Sequence, residues 1–299
     1  MDFSLLKDAE KTTKWTSEYE RQEIPLKLTY YGTGAGEGWP GLFCNCELCK
    51  TARKIKGKNI RTRSQALMND DLLIDLTPDT NMHCLVYGLD LEKVDHLLVT
   101  HSHTDHFNPP DLELLREPFA HNRPNVFHIY GNDRVREKIW TQVPKVWEVE
   151  SKFNFHKAEP FQSIVIKDYI VVPLLALHDR NEECLLYEIT QGNKTMLYAH
   201  DTGAFPEATM EYLKTNKVHL DLVSLDCTIQ SSADGKNHMG LVDAVKERQR
   251  LTELGLGDDN TKWIVNHFSH NGLWLYDKMV EEAGRYGFLV SYDGMEIEI

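Results

Sequence analysis

The sequence has no apolar run long enough to cross a membrane, and its first residues lack the apolar core of a signal peptide. It is also poor in positive charge, since 33 lysines and arginines face 46 aspartates and glutamates for a net charge of −13. Such a field repels phosphate backbones, so we expect neither a nucleic acid nor a membrane as partner. The six cysteines are better explained as thiols or metal ligands than as a disulfide framework. We therefore predict a cytoplasmic protein.

The common phosphate-binding fingerprints are missing too. A predicted strand, Leu26–Tyr31, leads into a glycine-rich loop over Gly32–Gly38. No Lys-Ser/Thr pair and no helical pattern follow, so this loop matches neither a Walker A motif nor a dinucleotide fingerprint. We expect the glycines to allow close approach of the backbone to a site or to a neighbouring strand.

Repeats, low-complexity tracts and a convincing linker are also lacking. Strand-like and helix-like segments alternate along the second half of the chain, which predicts one two-layered α/β domain over residues 25–299. Residues 1–24 form a polar N-terminal extension, with Trp15 and Tyr19 four apart on one face of a possible helix.

The main positive signal is the stretch His101-Ser102-His103-Thr104-Asp105-His106, directly after the apolar run Val94–Val99. The run predicts a buried strand, so the histidines lie on the loop at its carboxyl end. Imidazole and carboxylate together suit zinc, manganese or iron. His101 and His103 can point the same way while Asp105 and His106 reach a second position, so one loop can serve two metal ions. A solvated histidine-rich loop is the alternative, and it explains this spacing less well.

Further candidate ligands also follow predicted strands, namely His178, Asp201 and His267. Each alone is an ordinary polar strand end, but with the first loop they make five histidines and two aspartates at one edge, as two adjacent metal ions require. Asp75 ends another strand and is predicted to orient the metal loop. His238 precedes a helix and could be a general acid, a phosphate donor or a helix cap.

A second cluster, Cys44-Asn45-Cys46-Glu47-Leu48-Cys49, places three thiols within six residues. Three thiolates suit one tetrahedral zinc ion that lacks a fourth ligand. Three free thiols are the alternative, and we favour a structural zinc.

The ordered set of His101–His106, Asp75, His178, Asp201 and His267 resembles the metallo-β-lactamase superfamily. That resemblance implies an α/β fold of four layers, an αββα sandwich, with a metal pair in the cleft between the sheet edges. It further implies that His101, His103 and His178 hold one metal ion, that Asp105, His106 and His267 hold the other, and that Asp201 bridges them.

A narrower resemblance rests on Gly32-Thr33-Gly34, the three-cysteine motif and the terminal Asp293-Gly294-Met295-Glu296. These are similar to the phosphoribosyl cyclic phosphodiesterases that accompany carbon–phosphorus lyase. The likeness implies His270 as the fourth ligand of the structural zinc and His238 as a residue acting at the phosphate or the leaving group. The loop Asp179-Arg180-Asn181-Glu182-Glu183 departs from that pattern by its strong charge.

The function expected from these residues is hydrolysis of a small, cyclic phosphodiester by a hydroxide that bridges two divalent metal ions. Zinc or manganese is expected, with iron as the alternative, beside one structural zinc. The alternatives are hydrolysis of a lactone or an RNA phosphodiester on the same fold, and a non-catalytic role in cofactor biosynthesis. A small phosphorylated substrate is the expected partner, and a homodimer stays open as an assembly.

Overall fold

The computed structural model describes residues 25–146, 152–233 and 235–299, so the predicted extension over 1–24 lies outside the described residues. The strands are, in chain order, β1 (Lys27–Gly32), β2 (Gln65–Met68), β3 (Leu72–Ile74), β4 (His96–Leu98), β5 (Phe127–Gly131), β6 (Phe153–Lys157), β7 (Ile164–Ile166), β8 (Tyr169–Leu175), β9 (Leu185–Gln191), β10 (Lys194–Ala199), β11 (Leu222–Asp226), β12 (Lys262–Asn266), β13 (Leu289–Val290) and β14 (Met295–Glu298). The α-helices described are α1 (Glu47–Ile55), α2 (Thr80–Tyr87), α3 (Asp133–Gln142), α4 (Glu207–Asn216), α5 (Leu241–Glu253) and α6 (Tyr276–Gly284).

The strands form two seven-stranded sheets. The first has the order β14-β1-β2-β3-β4-β5-β6 and the second β13-β12-β11-β10-β9-β8-β7. In the first sheet the strands from β14 to β3 pair antiparallel and those from β3 to β6 pair parallel. In the second sheet the strands from β13 to β10 pair parallel and those from β10 to β7 pair antiparallel. Parallel strands have their carboxyl ends at the same edge of the sheet, and α/β proteins commonly place functional side chains at that edge.

Apolar side chains make three layers of core. One lies between the sheets and includes Leu28, Ile74, Val171 and Ile189. A second packs α3 onto the first sheet, and a third packs α4, α5 and α6 onto the second. Strands β2, β3 and β11 are buried along their whole length, because both of their faces are covered. The four-layer αββα sandwich implied by the resemblance is confirmed, and the two-layered domain expected from alternation alone is wrong.

Most predicted elements are present with shifts of one or two residues at their ends. Residues Pro109–Leu115, which follow the metal loop, form a 3-10 helix with two prolines in its first turn. Strand β6 and helix α1 were not predicted. Within the part of the chain that the structure describes, no helix combines the length and apolarity needed to span a membrane.

Candidate metal centre

The predicted ligands come together at the facing edges of the two sheets. The loop after β4 carries His101, His103, Asp105 and His106, while the second sheet supplies the other three from the ends of β8, β10 and β12. These three are His178, Asp201 and His267. The centre is therefore built half from one sheet and half from the other.

Three polar residues of the site have left-handed backbone conformations. The φ angles are 66° at Asp75, 51° at Asp201 and 66° at His267. Residues other than glycine seldom adopt this region, and where they do the strain is commonly stored at functional sites. In each case the turn directs a side chain at a strand end back into the cleft between the sheets.

Three imidazoles converge in one half of the centre, which we call the three-histidine half (His101, His103 and His178). Nε2 of His101 lies 3.0 Å from Nδ1 of His103, and Nε2 of His178 lies 3.2 Å from the same Nδ1. This spacing is close to the edge of a coordination polyhedron with metal–nitrogen bonds of about 2.1 Å. The three nitrogens thus fit one divalent ion.

The other half contains carboxylates and is more deeply buried. Oδ2 of Asp201 lies 2.5 Å from Nε2 of His106 and 2.9 Å from Nε2 of His267, and Oδ2 of Asp105 lies 3.3 Å from Nε2 of His106. Despite this closeness, Nε2 of His106, Oδ2 of Asp201 and Nε2 of His267 have no hydrogen-bond partner. Buried polar atoms without partners are costly, and a metal ion would satisfy all three together.

Hydrogen bonds on the outer side of the rings set which nitrogen faces inward. Nδ1 of His106 donates to Oδ2 of Asp75 over 2.7 Å, as the sequence predicted for an orienting role of Asp75. Nδ1 of His178 donates to the carbonyl of Asn237 over 3.2 Å, and Nδ1 of His267 lies 2.8 Å from the Thr228 hydroxyl, which itself donates to Asp226. With their outer N–H groups engaged, these imidazoles would coordinate a metal ion through Nε2.

Charge is balanced within the cleft. Burial alone would raise the pKa of Asp201, but the imidazoles of His267, His106 and His178 outweigh it and hold that pKa well below its usual range. Burial would lower the pKa of His267, but Asp201 and Asp226 raise it to about 10. The carboxylate of Asp201, which lies near imidazoles of both halves, is thus ionised.

His238 lies beside the predicted ligands and forms, with Asp201, Asp226 and His267, a further group close enough to hold a metal ion. Its Nδ1 lies 3.3 Å from Oδ2 of Asp226 and 3.5 Å from Oδ1 of Asp201. It does not cap α5, whose N-cap residue is Gly240. Burial lowers the pKa of His238, but the hydrogen bond and charge of Asp226 outweigh it and raise that pKa.

Asp226 is the residue of the site to which the sequence analysis gave no role. Fully buried at the end of β11, it accepts hydrogen bonds from the backbone N–H groups of Asp201, Thr228 and Met239 at 2.9–3.0 Å. The signal was present in the sequence, because an aspartate ending a predicted strand falls at the same edge as the ligands.

A cavity of about 680 Å³ opens onto the three-histidine half. Beyond His103, His178 and His238, its lining includes the side chains of Arg180 and Lys236. Arg180 and Lys236 bring two positive charges to this lining beside the carboxylate of Asp179, on a chain whose net charge is −13.

The three cysteines and His270 also come together. Nδ1 of His270 lies 3.7 Å from Sγ of Cys46 and 3.9 Å from Sγ of Cys44, and Cys49 completes the group. A zinc tetrahedron with bonds of about 2.0–2.3 Å has edges of about 3.5–3.8 Å, so the four donors fit one zinc ion. The backbone N–H of Cys49 lowers the pKa of Cys46 to about 6, which favours the thiolate.

The glycine-rich loop closely approaches the neighbouring backbone and one predicted metal ligand, which agrees with the expected role of its glycines. A Cβ at Gly32 would lie 1.8 Å from the carbonyl oxygen of Arg63, and one at Gly36 would lie 3.0 Å from Oδ2 of Asp105. A larger residue would displace the neighbouring strand or a predicted metal ligand.

Comparisons with known proteins agree with this architecture. A diphosphatase of the PhnP family shares 22% identity and a TM-score of 0.67 over 92% of this chain and 98% of that one. Zinc-bound PqqB from Methylobacterium extorquens shares 16% identity with a TM-score of 0.65, and the match covers 91% of this chain and 100% of that one. The short form of human tRNase Z shares 16% identity with a TM-score of 0.61, and the match covers 91% of this chain and 98% of that one. No curated protein sequence matches the chain.

The sequence model of the beta-lactamase superfamily domain matches residues 71–254, more than half of the chain. Its match, with the converging histidines and aspartates, supports a metal-dependent hydrolase. The resemblance drawn from the sequence is confirmed: the chain belongs to the β-lactamase superfamily.

Proposed function

We propose that this protein hydrolyses a small phosphodiester, using two divalent metal ions held by His101, His103, Asp105, His106, His178, Asp201 and His267. The observation that carries the proposal is the cavity that is lined by the ligands His103 and His178 together with the cations Arg180 and Lys236. Arg180 and Lys236 attract an anion, and the cavity volume suits a small molecule.

The residues divide the chemical work. Divalent ions held by these residues would lower the pKa of bound water and offset the negative charge of the phosphoryl oxygens. Asp201 contacts histidines of both halves and would keep the two ions at a fixed separation. Asp226 accepts from Nδ1 of His238, which leaves Nε2 of His238 to donate a proton to the departing oxygen of a substrate in the cavity.

The cysteine site has a structural part in the proposal. His270 is three residues from the ligand His267, so a zinc ion held by Cys44, Cys46, Cys49 and His270 would brace the loop that carries His267. Gly41 lies between the cysteines and the histidine, and a Cβ there would lie 3.1 Å from Cβ of Cys44 and 3.3 Å from Nε2 of His270, so a side chain would press on both ligands.

A substrate panel tests the proposal. The metal-loaded protein would be assayed on bis-p-nitrophenyl phosphate, ribose cyclic phosphates, 2′,3′-cyclic nucleotides, lactones and a precursor tRNA, with elemental analysis of each preparation. We expect turnover of the small phosphodiesters and its loss in Asp201→Ala together with loss of the second active-site ion. Turnover of lactones or RNA alone, or full activity of Asp201→Ala, would contradict the proposal.

A further inference from the structure

The charged loop, residues 179–183, has no part in the function proposed above except for the position of Arg180. It directly follows the ligand His178, and four of its five side chains carry charge. Two of its carboxylates, those of Asp179 and Glu182, contact the metal loop of the three-histidine half.

Glu182 binds the metal loop across the cleft. Its Oε1 accepts from the backbone N–H of Ser102 at 2.7 Å, and its Oε2 accepts from the Ser102 hydroxyl at 2.7 Å. Ser102 is the residue between the ligands His101 and His103. The two-point contact thus fixes the peptide that joins two ligands.

Asp179 contacts a ligand directly. Its Oδ2 lies 3.2 Å from Nε2 of His103, and since a carboxylate only accepts, that nitrogen carries the proton. Nδ1 of His103 is then unprotonated, and it is the atom that faces His101 and His178.

The loop itself is held firmly enough to act as a support. Oδ1 of Asp179 accepts from the backbone N–H of Asn181 at 2.8 Å. Asn132, the N-cap of α3, donates through Nδ2 to Oε1 of Glu182 at 2.7 Å and to the carbonyl of Glu183 at 2.8 Å. The loop is therefore tied both to its own backbone and to the start of a helix.

Lys138 of α3 supports the metal loop from the same helix. Its Nζ donates to the carbonyl of Ser102 at 2.7 Å and to the carbonyl of Phe107 at 2.6 Å, on either side of the ligands. Ser102 is thus held through its N–H and hydroxyl by the charged loop and through its carbonyl by α3.

We propose that Asp179 and Glu182 are positioning residues that lock His101, His103 and His178 into one rigid unit and thereby set the metal affinity of the three-histidine half. Glu182 fixes the spacing of His101 and His103, and Asp179 fixes the tautomer and ring orientation of His103. This inference rests on the two-metal site of the proposed function but not on its substrate. The carboxylate half has its own orienting residue, Asp75, and does not depend on the charged loop.

Zinc titration of the full-length chain, in competition with a chromophoric chelator, tests the proposal. Asp179→Asn and Glu182→Ala are expected to weaken one binding step about 10- to 100-fold and leave the other steps unchanged. Although asparagine has the same shape as aspartate, its amide N–H would face Nε2 of His103 and favour the wrong tautomer. Glu182→Gln keeps one acceptor oxygen, so it should recover part of the affinity.

A spectroscopic readout separates positioning from simple structural support. Imidazole ¹⁵N NMR of the metal-free protein should place the proton of His103 on Nε2 in the unchanged chain and on Nδ1 in Asp179→Asn. Glu183→Gln is the matched control, because it makes the same charge change in the same loop at an exposed side chain with no hydrogen bond or ion pair to any described residue. It should alter neither readout.

Two results would overturn the inference. One is unchanged zinc affinity at every step in both Asp179→Asn and Glu182→Ala. The other is equal weakening of all steps with a lower unfolding temperature of the metal-free protein, which would indicate general damage. Neither result depends on phosphodiester turnover, so failure of the proposed substrate class would be recognised separately.

Discussion

At the scale of single residues, the pair formed by His238 and Asp226 makes the sharpest prediction about catalysis. Nδ1 of His238 faces Asp226, and its ring lines the cavity without belonging to either metal half. His238→Ala should lower kcat about 10²- to 10⁴-fold, as loss of a general acid does, with both active-site ions retained. Steady-state kinetics and elemental analysis of one preparation measure both quantities. Loss of a metal ion with the activity would show that His238 is a ligand.

Glu188 on β9 makes a prediction about stability. Its side chain is 4% exposed and shares a face of the second sheet with Val172 and Leu197, under the helices. Oε2 of Glu188 has no hydrogen-bond partner, and burial raises the pKa of the carboxyl to about 7. The folded protein therefore resists ionisation of Glu188 at pH values where the unfolded chain is already ionised.

The sign follows from the two pKa values. Below the unfolded pKa the carboxyl is neutral in both states and costs nothing, and between that value and about 7 the folded state progressively loses stability. The unchanged protein should lose up to about 3 kcal/mol between pH 4 and pH 8 that Glu188→Gln does not lose. Denaturant unfolding of both proteins across this range checks it. Parallel pH profiles would contradict the prediction.

Residue by residue, the sequence was informative where a side chain follows a regular element. His178, Asp201 and His267 each end an apolar strand, so their common edge could be predicted. The roles of Asp179 and Glu182 could not, because they depend on contacts with Ser102 and His103, about 80 residues away in a loop without periodicity.

At the scale of elements, the segment from Gly41 to α1 makes a prediction about the cysteine site. Cys46 is the N-cap residue of α1, and Cys49 lies buried in its first turn. Cys49→Ser should remove one zinc ion per chain and lower the unfolding temperature on the order of 5 °C, which corresponds to about 2 kcal/mol. Elemental analysis and calorimetry measure the two effects.

Cys84→Ser is the control for that change. Cys84 is a half-buried free thiol on α2, away from the other cysteines, so its replacement should leave the zinc content unchanged. Equal zinc content in Cys49→Ser and Cys84→Ser would contradict a metal site at the cysteines.

Two elements, α1 and β6, were not predicted, and each has an identifiable reason. Helix α1 has apolar residues at positions 48, 49, 52 and 55, which is helical spacing, but the same stretch was interpreted through its cysteines alone. Strand β6 is an edge strand of mixed polarity, with two phenylalanines among polar residues. Its composition does not favour a strand, and its parallel pairing with β5 stabilises the extended conformation instead.

At the scale of the whole molecule, the placement of the centre between two sheets predicts strong metal linkage. Ions bound there hold together a loop of the first sheet and three strand ends of the second. If each ion is present at about 1,000 times its dissociation constant, each adds about 4 kcal/mol to stability. A strong chelator should therefore lower the unfolding temperature on the order of 10 °C for each ion that it removes.

Asp201→Ala separates the two kinds of metal site in this experiment. In that variant only the part of the shift that arises from the cysteine site should remain. A chelator shift of the same size in Asp201→Ala and in the unchanged protein would contradict linkage through the centre between the sheets.

Composition and periodicity could not predict the number of layers in the molecule. Alternating strands and helices are compatible with one sheet or two, and the choice depends on pairings between distant segments. The pairing of β14 with β1 joins residues about 270 positions apart, and no local pattern encodes it. The family resemblance supplied the four layers because its motif residues imply a known arrangement of the chain.

The side-chain contacts of the charged loop have a consequence for protein engineering. Because Glu182 reaches Ser102 and Asn132 rather than its sequence neighbours, the transplantable unit is discontinuous. A chimera that carries residues 179–183 into a homologous scaffold without a serine and an asparagine at the matching positions would leave the Glu182 carboxylate without two of its three hydrogen-bond donors. Loop exchange between such enzymes should therefore move all three segments together.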